Sequence, residues 1–166
     1  MKKKYLLIVT SIVIVSILIG ISVMLLLKRQ YTDHLPTLDL YHTVYDKIEP
    51  KDEMRILDYD VILEISDNYI EDLIDYTVVR AQNAKNINEI GIFRVKAGTQ
   101  TKVKSIIENY VQKKVASYRA MDYFPEEIEK IDFATVKVIG SYVIYSFLNE
   151  KDTHNLYHSI EDTLRK

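Results

Sequence analysis

Two histidines near the C-terminus, His154 and His158, are the first candidates for chemistry in this sequence. In a helix their spacing of four places both imidazoles on one face, where they can bind one metal ion with Glu161 or Asp162 as a third ligand. A solvated polar face is the alternative. It is favoured because the apolar positions of this segment point more than about 100° away from the histidines, and because Arg165 projects between them and would repel a metal. We interpret both histidines as surface residues and keep a metal-binding module as an alternative.

Clusters of carboxylates are the second candidate. Carboxylate pairs catalyse glycoside hydrolysis when one acid lies in an apolar cleft that raises its pKa. Surface charge explains the clusters more simply, and Glu126 and Glu127 suit the first turn of a helix, where the dipole favours negative charge. A cell-envelope hydrolase remains an alternative if a cleft joins Glu71, Asp72 or Asp75 to a second acid. The clusters are Asp58 with Asp60, Glu71 with Asp72 and Asp75, and Glu126 with Glu127 and Glu129.

The motifs of standard enzymes are missing. The chain has no cysteine, which excludes a thiolate nucleophile, a lipid-modified cysteine and a cysteine-based metal site. Its four glycines form no phosphate-binding loop, and neither a G-x-S-x-G nor an H-E-x-x-H motif occurs. We therefore expect no cofactor and no catalytic residue.

The N-terminal region predicts a membrane anchor. Residues 5–27 contain no charge and are bounded by lysines at 2–4 and by Lys28 and Arg29. As a helix they span about 34 Å, enough to cross a bilayer. A cleavable signal peptide is the alternative, but its apolar core is about 7–15 residues long and ends in a small-residue site that is missing here. Because more basic residues precede the segment than follow it, we expect a single-pass protein with a cytoplasmic N-terminus and residues 30–166 outside the cell.

The charge of the exported part limits its partners. Without the five Lys and Arg residues of the first 29, 17 basic residues stand against 24 acidic ones, a formal charge of −7. Binding to the phosphates of nucleic acid requires a positive surface. We therefore expect no nucleic acid partner.

The first part of the exported region predicts a tether and two helices. Residues 30–37 are polar, include Pro36 and lack periodicity, as is typical of a short tether. A single domain then covers residues 38–166. Apolar residues at helical spacing predict helices within 38–48 and 60–66.

A first β-hairpin is predicted next. Residues 75–82 and 89–97 are rich in β-branched and aromatic residues, which favour strands. The asparagine-rich stretch AQNAKNINEI between them suits a turn, because asparagine side chains bond neighbouring backbone and tolerate left-handed conformations. We interpret it as the hairpin connection, and its polar tip is also a candidate partner surface. That possible interaction surface consists of Asn83, Lys85, Asn86 and Asn88.

The clearest amphipathic helix follows Gly98. Thr99 is its predicted N-cap, and apolar residues recur at helical spacing from Val103 to Tyr118. Its basic residues either form a solvated face or meet acidic groups of a partner or of the same domain. They are Lys102, Lys104, Lys113, Lys114 and Arg119.

A second hairpin is predicted towards the C-terminus, after a short helix that starts at Pro125. Residues 133–139 and 141–149 read as strands, joined at Gly140 and Ser141 by a two-residue type II′ turn. The second strand is apolar on both faces, which predicts a central position covered on one side by the long helix.

The last segment predicts a helix with Asp152 or Thr153 as its N-cap. The order from residue 75 is then ββαββα with local hairpins. This order predicts an α+β domain in which an antiparallel sheet of about four strands is packed by helices. The apolar stripe of the last helix consists of Leu156, Ile160 and Leu164.

Three parts of the chain resemble a bacterial family of small extracytoplasmic proteins, domain-of-unknown-function family 4358. They are the string EIGIFRVKAG, the long helix after it, and YFPEEIEKIDFATVKVIGSYVIYSFL, within residues 39–149. The resemblance includes a Tyr-x-Pro-Glu pattern at Tyr123, Pro125 and Glu126 and a strand pair that turns at Gly140. It implies an exported domain, since many members look like lipoproteins or carry an export segment, although this chain lacks the lipoprotein cysteine. It implies no catalytic residues.

These observations together favour an anchored extracytoplasmic domain that interacts with a membrane protein, an envelope protein or an envelope polymer, as an accessory subunit or regulator. The lipid bilayer, contacted through residues 5–27, is its expected permanent partner. The envelope hydrolase and the metal-binding module are the alternatives.

Overall fold

The computed structural model describes residues 14–18, 31–48, 54–66, 70–121 and 125–165. Tyr31–Arg165 form one compact unit. Residues 14–18 are helical, and the rest of the predicted anchor lies outside the described residues. In the part of the chain that is described, no helix combines the length and apolar character needed to cross a membrane.

The compact unit consists of a five-stranded sheet with helices on both faces. The strands are all antiparallel, in the order β1-β2-β3-β5-β4. The predicted α+β class, with an antiparallel sheet packed by helices, is confirmed. From residue 73 the order is ββααββα, because the short helix predicted at Pro125 is a separate element that the predicted ββαββα order did not count. The elements in chain order are α1 (Thr37–Tyr45), β1 (Met54–Ile56), α2 (Asp60–Ser66), β2 (Leu73–Ala81), β3 (Glu89–Val95), α3 (Gln100–Ala120), α4 (Pro125–Asp132), β4 (Thr135–Ile139), β5 (Tyr142–Phe147) and α5 (Glu150–Leu164).

The prediction of about four strands missed β1. This strand has three residues and pairs with β2 far along the chain, with Met54 opposite Ala81. A strand this short shows no alternation in the sequence, and its pairing is non-local, so no local pattern indicates it.

Both faces of the central strands are buried. All six residues of β5 are buried, which confirms the covered strand that was predicted. On one face β3 and β5 contact α2 and the apolar stripe of α3, and on the other they contact α1 and α5. The sheet therefore separates two apolar clusters, and a polar group on β3 or β5 needs partners within the core.

A two-residue loop and a longer loop connect the strands of the two hairpins. Ile139 lies opposite Tyr142, so Gly140 and Ser141 form the predicted two-residue loop. Gly140 has φ of +59°, the left-handed value required at the first position of such a loop. The longer connection between β2 and β3 places Arg80 opposite Glu89.

Most of the predicted tether, residues 30–37, is packed against the domain. Tyr31 forms an isolated antiparallel bridge with Arg165, and the hydroxyl of Tyr142 donates to the carbonyl of Leu35 over 2.8 Å. Tyr31 and Leu35 are also partly buried against the α1–α5 side of the core. These two apolar residues explain why the compact unit begins before the predicted domain boundary at residue 38.

The predictions for the N-caps are met in part. Thr99 is the N-cap residue of α3, as predicted, but its hydroxyl donates to the carbonyl of Lys96 and makes no capping bond to the helix. Helix α5 begins earlier than predicted, and its N-cap is Asn149, not Asp152 or Thr153. The side-chain oxygen of Asn149 accepts from the backbone N–H of Asp152, and its amide donates to the Asp152 carboxylate. These two hydrogen bonds between Asn149 and Asp152 cap the N-terminus of α5.

Candidate functional site

A charged residue lies at the centre of the fold. Glu89, the first residue of β3, has no solvent exposure. No local sequence pattern predicted that this residue is buried. An unpaired carboxylate in a protein core would be strongly unfavourable. The groups around Glu89 must therefore stabilise its buried charge.

Four donors surround the carboxylate of Glu89. Its Oε1 accepts from the hydroxyl of Tyr110 at 2.7 Å and from that of Tyr145 at 2.6 Å. Its Oε2 accepts from Nζ of Lys114 at 2.6 Å and from Nε of Arg80. A carboxylate offers about four lone-pair sites, so this arrangement uses all of them.

Three elements position these donors. Arg80 faces Glu89 across the β2–β3 pair, and Tyr145 reaches it from β5, the strand on the other side of β3. Tyr110 and Lys114 are four residues apart on α3 and therefore project from one face of that helix. Nζ of Lys114 also lies 5.2 Å from the centroid of the Tyr110 ring, within cation–π distance. The buried network thus joins α3 to the sheet.

One side of the network opens to solvent. Nη2 of Arg80 donates to both carboxylate oxygens of Glu64 on α2, at 2.9 and 3.1 Å. The side chain of Glu64 is 44% exposed and that of Arg80 is 26% exposed. Both line a groove of about 250 Å³ between β1 and α2, together with Arg55, Asp58 and Asp60. Arg80 therefore connects the buried carboxylate to a residue of this groove.

The charges in the network shift one another's ionisation. Burial acts to raise the pKa of Glu89, but Lys114 and Arg80 oppose it, and the pKa lies below its ordinary value. Burial raises the pKa of Tyr110 and of Tyr145, and the Glu89 carboxylate raises both further. For Lys114, burial lowers the pKa more than Glu89 raises it.

These shifts favour a structural role for the network. A general acid or base works best with a pKa near the working pH. The pKa of Glu89 moves down, and the pKa values of Tyr110 and Tyr145 move up, so all three move away from neutrality. The Glu89 carboxylate also has no free acceptor site for a substrate proton.

The predicted histidine pair lies on the exposed face of α5. The ring centroids of His154 and His158 are 6.1 Å apart, and Nδ1 of His158 lies 2.9 Å from Oδ2 of Asp162. Both histidines line a groove of about 370 Å³ that also contains Lys47, whose ammonium group would repel a metal ion. Within the described ranges, no group of three or more His, Asp or Glu side chains is placed to hold a metal.

The asparagine-rich loop makes mostly local contacts. Oδ1 of Asn83 accepts from the backbone N–H of Lys85 at 3.0 Å, and Oδ1 of Asn86 accepts from that of Asn88 at 2.7 Å. These are the side-chain-to-backbone bonds that stabilise a turn. Asn83 and Lys85 are exposed, whereas Asn88 is buried and its Oδ1 finds no partner among the described residues. The exposed part of this loop therefore consists of residues 82–85.

The loop is held at its base by one of the predicted carboxylates. Oε2 of Glu127 on α4 accepts from the backbone N–H of Ile87 at 2.8 Å, and Nζ of Lys130 lies 2.7 Å from Oε1 of the same carboxylate. The side chain of Glu127 is 11% exposed. It therefore has a tertiary role beyond the helix-dipole role predicted for it.

The remaining predicted carboxylates make scattered contacts. Asp72 pairs with Lys102 at 2.6 Å, and Asp75 accepts from the backbone N–H of Thr37 at 2.7 Å. Neither they nor Glu71 lines the grooves named above. Asp58 and Asp60 do share a groove, but both are exposed and lack the apolar surrounding that a general acid needs.

The basic residues of α3 mostly meet acidic groups of the same domain, one of the two outcomes expected from the sequence. Each ion pair links either two residues of α3 or α3 and another element. The pairs are Lys102 with Asp72, Lys104 with Glu108, Lys114 with Glu89, and Arg119 with Asp132.

Comparison with known proteins identifies the family. The family described as Domain of unknown function (DUF4358) matches residues 60–148, from α2 to the residue after β5. No curated protein and no solved structure matches the chain. The resemblance noted within residues 39–149 is thereby confirmed. Because more than half of the 166 residues are matched, the chain belongs to the family Domain of unknown function (DUF4358).

Proposed function

We propose that this protein is a membrane-anchored extracytoplasmic domain that acts by binding another protein of the membrane or the cell envelope. The observation that carries the proposal is an exposed apolar surface at β1 and α2. Ile56, Tyr59 and Leu63 are 54, 48 and 46% exposed although all three are large apolar or aromatic residues. Grouped apolar side chains on a surface are typical of an interaction site.

The surroundings of this surface suit a protein partner. Ile56 lines the 250 Å³ groove, whose polar wall includes Arg55, Asp58 and Asp60. Leu63 lies on α2, and Tyr59 is the turn residue directly before that helix. Interfaces commonly combine an apolar centre with a polar rim. The formal charge of −7 outside the first 29 residues supports a partner with basic residues.

Several carboxylates of the domain are occupied by contacts within the fold, which supports binding over catalysis as the function. Glu89 is saturated by four donors, and Glu127 and Asp75 are engaged by backbone N–H groups. Groups that the fold holds in this way are not available to a substrate.

The proposed location rests on residues 5–27, which carry no charge and lie between basic flanks. Since the chain has no cysteine, single cysteines can test the topology without background labelling. With a membrane-impermeant maleimide on intact cells, we expect Asn83→Cys to be labelled and Lys3→Cys to be labelled only after lysis. Labelling of Lys3→Cys on intact cells, or of neither variant before lysis, would reject this topology.

The interaction is tested by crosslinking in native membranes followed by affinity purification. A chain lacking residues 1–29 serves as the control for anchoring. Leu63→Glu places a charge in the apolar surface, whereas Met121→Glu changes a residue that is 65% exposed at the far end of α3. We expect the same crosslinked protein from the wild type and from Met121→Glu, and its loss from Leu63→Glu. Reproducible absence of a specific product from the wild type would reject the proposal.

A further inference from the structure

Strand β4 forms an open edge of the sheet. It pairs with β5, and among the described residues no backbone group bonds to its other side. Ile139 and Tyr142 flank a two-residue loop, so they are a hydrogen-bonded pair. In an antiparallel pair the bonded positions alternate, which places Lys137 in the next such pair. The N–H and C=O groups of Val136 and Val138 therefore point away from the sheet.

A groove runs between this edge and helix α5. Its volume is about 440 Å³, and its walls come from both elements. Thr153 and Tyr157 of α5 form one wall, and Phe133, Thr135 and Val136 at the start of β4 form the other. An edge strand offers free backbone N–H and C=O groups to an extended peptide, and a groove beside that strand offers space for the side chains of the peptide. Both features are needed to bind an extended peptide.

The usual protection of an edge strand is weak here. A lysine on the edge commonly prevents strand addition, and β4 contains Lys137. Its Nζ, however, lies 5.4 Å from the centroid of the Tyr157 ring and 3.8 Å from Oε2 of Glu161. The charge is thus directed towards α5 and away from the position of an added strand.

We propose that an extended segment of the partner protein adds to β4 as a sixth strand, with alternate side chains in the groove beneath α5. This inference rests on the proposed interaction function and names a site and a partner class for it. The outward N–H and C=O groups favour a strand as occupant, because the backbone of an added strand can bond to both of them in register. The site is distinct from the apolar surface at β1, which lies at the opposite edge of the sheet.

The charges of the groove define the segment further. Asp132 already pairs with Arg119 at 2.9 Å, whereas Glu150 makes no ion pair with any residue in the described ranges. A basic residue of the segment therefore fits beside Glu150, and apolar residues fit beside Tyr157.

The test uses the full chain in detergent micelles and a library of phage-displayed dodecapeptides. We expect the selected peptides to alternate apolar and polar residues and to carry Arg or Lys. Val138→Pro removes an outward N–H group, while Val138→Ala removes side-chain atoms and keeps the N–H. Binding of a selected peptide should fall about tenfold for Val138→Pro and remain within about twofold for Val138→Ala.

A second measurement does not depend on variants. Amide hydrogen exchange at Val136 and Val138 should slow when a selected peptide binds, because both N–H groups then donate to it. Equal binding by Val138→Pro and the wild type, unchanged exchange at both amides, or failure to select any peptide would overturn the site. A dimer in sedimentation that Val138→Pro dissociates would show a second copy as the occupant and overturn the partner assignment.

The proposed interaction function and the proposed β4 site can each be rejected without the other. If the crosslinked partner is captured equally by Val138→Pro and by the wild type, the interaction function stands and the β4 site is rejected. If selected peptides bind the edge but native membranes yield no partner, the function is rejected while the strand-addition surface stands.

Discussion

The ring of Tyr145 lies over Gly91, its cross-strand partner on β3. A β-carbon added to Gly91 would stand 2.1 Å from Cε1 of Tyr145 and 2.8 Å from Cε2 of Phe93. The missing side chain lets the Tyr145 ring cross β3, so that its hydroxyl reaches Oε1 of Glu89 at 2.6 Å. A single glycine therefore makes room for one of the four donors to the buried carboxylate.

Gly91→Ala should destabilise the domain by at least about 3 kcal/mol, because the new methyl group overlaps a ring that has no exposed side to move to. The free energy of unfolding, measured with urea and circular dichroism, tests this value. Gly98→Ala is the matched control. Gly98 has φ of +84° with no atom within 4 Å of an added β-carbon, so only a backbone cost of about 1–2 kcal/mol is expected. Equal losses in the two variants would show that the Tyr145 contact is unimportant.

Ionised Glu89 should make stability depend on acid pH. Its pKa is lowered in the folded state, so its contribution is fully present above the ordinary value of 4.5 and is lost as pH falls through the folded pKa. Glu89→Gln should cost about 3–5 kcal/mol at pH 7, since Lys114 and Arg80 lose their counterion. The difference between this variant and the wild type should shrink below pH 4.5. Unfolding free energies across this range provide the measurement.

A surface pair supplies the control for this prediction. Glu108 pairs with Lys104 at 2.7 Å, but both side chains are more than a third exposed. Exposed pairs of this kind contribute about 0–1 kcal/mol. Glu108→Gln should therefore follow the wild-type pH profile, and a profile for Glu89→Gln that runs parallel to the wild type would contradict the role given to the buried carboxylate.

The two residues that precede α5 and α3, Asn149 and Thr99, should respond differently to alanine. Asn149→Ala removes an acceptor for the N–H of Asp152 and should cost about 0.5–2 kcal/mol. Thr99→Ala removes a hydroxyl that only donates to the carbonyl of Lys96, so its effect should stay within about 0.5 kcal/mol. Thermal unfolding of both variants distinguishes them. A larger loss for Thr99→Ala would mean that its hydroxyl caps α3 in solution.

Local patterns were sufficient for most elements of the fold and insufficient for its buried charge. Periodicity and turn residues indicated α3, both hairpins and the turn at Gly140, because the interactions that form them lie within a few residues. Glu89 looked like a polar residue at the start of a strand. Its burial depends on the register with Arg80 and on the docking of α3 over the sheet, and both are non-local. The spacing of Tyr110 and Lys114 on one face of α3 is a sequence signal that could have indicated a buried anion, but Lys114 was interpreted only as part of a basic surface.

The buried tyrosines should make the domain sensitive to alkaline pH. The pKa of Tyr110 and that of Tyr145 are raised, by burial first and then by the Glu89 carboxylate. The corresponding stability is fully present below pH 10, the ordinary value, and is lost as pH rises through the folded pKa values. Tyrosinate absorbance should therefore rise in two phases, first for exposed tyrosines near pH 10 and then together with unfolding. Tyr145→Phe should reduce the second phase, because it removes a hydroxyl that donates to Glu89. A single phase near pH 10 without unfolding would contradict the closed network around Glu89.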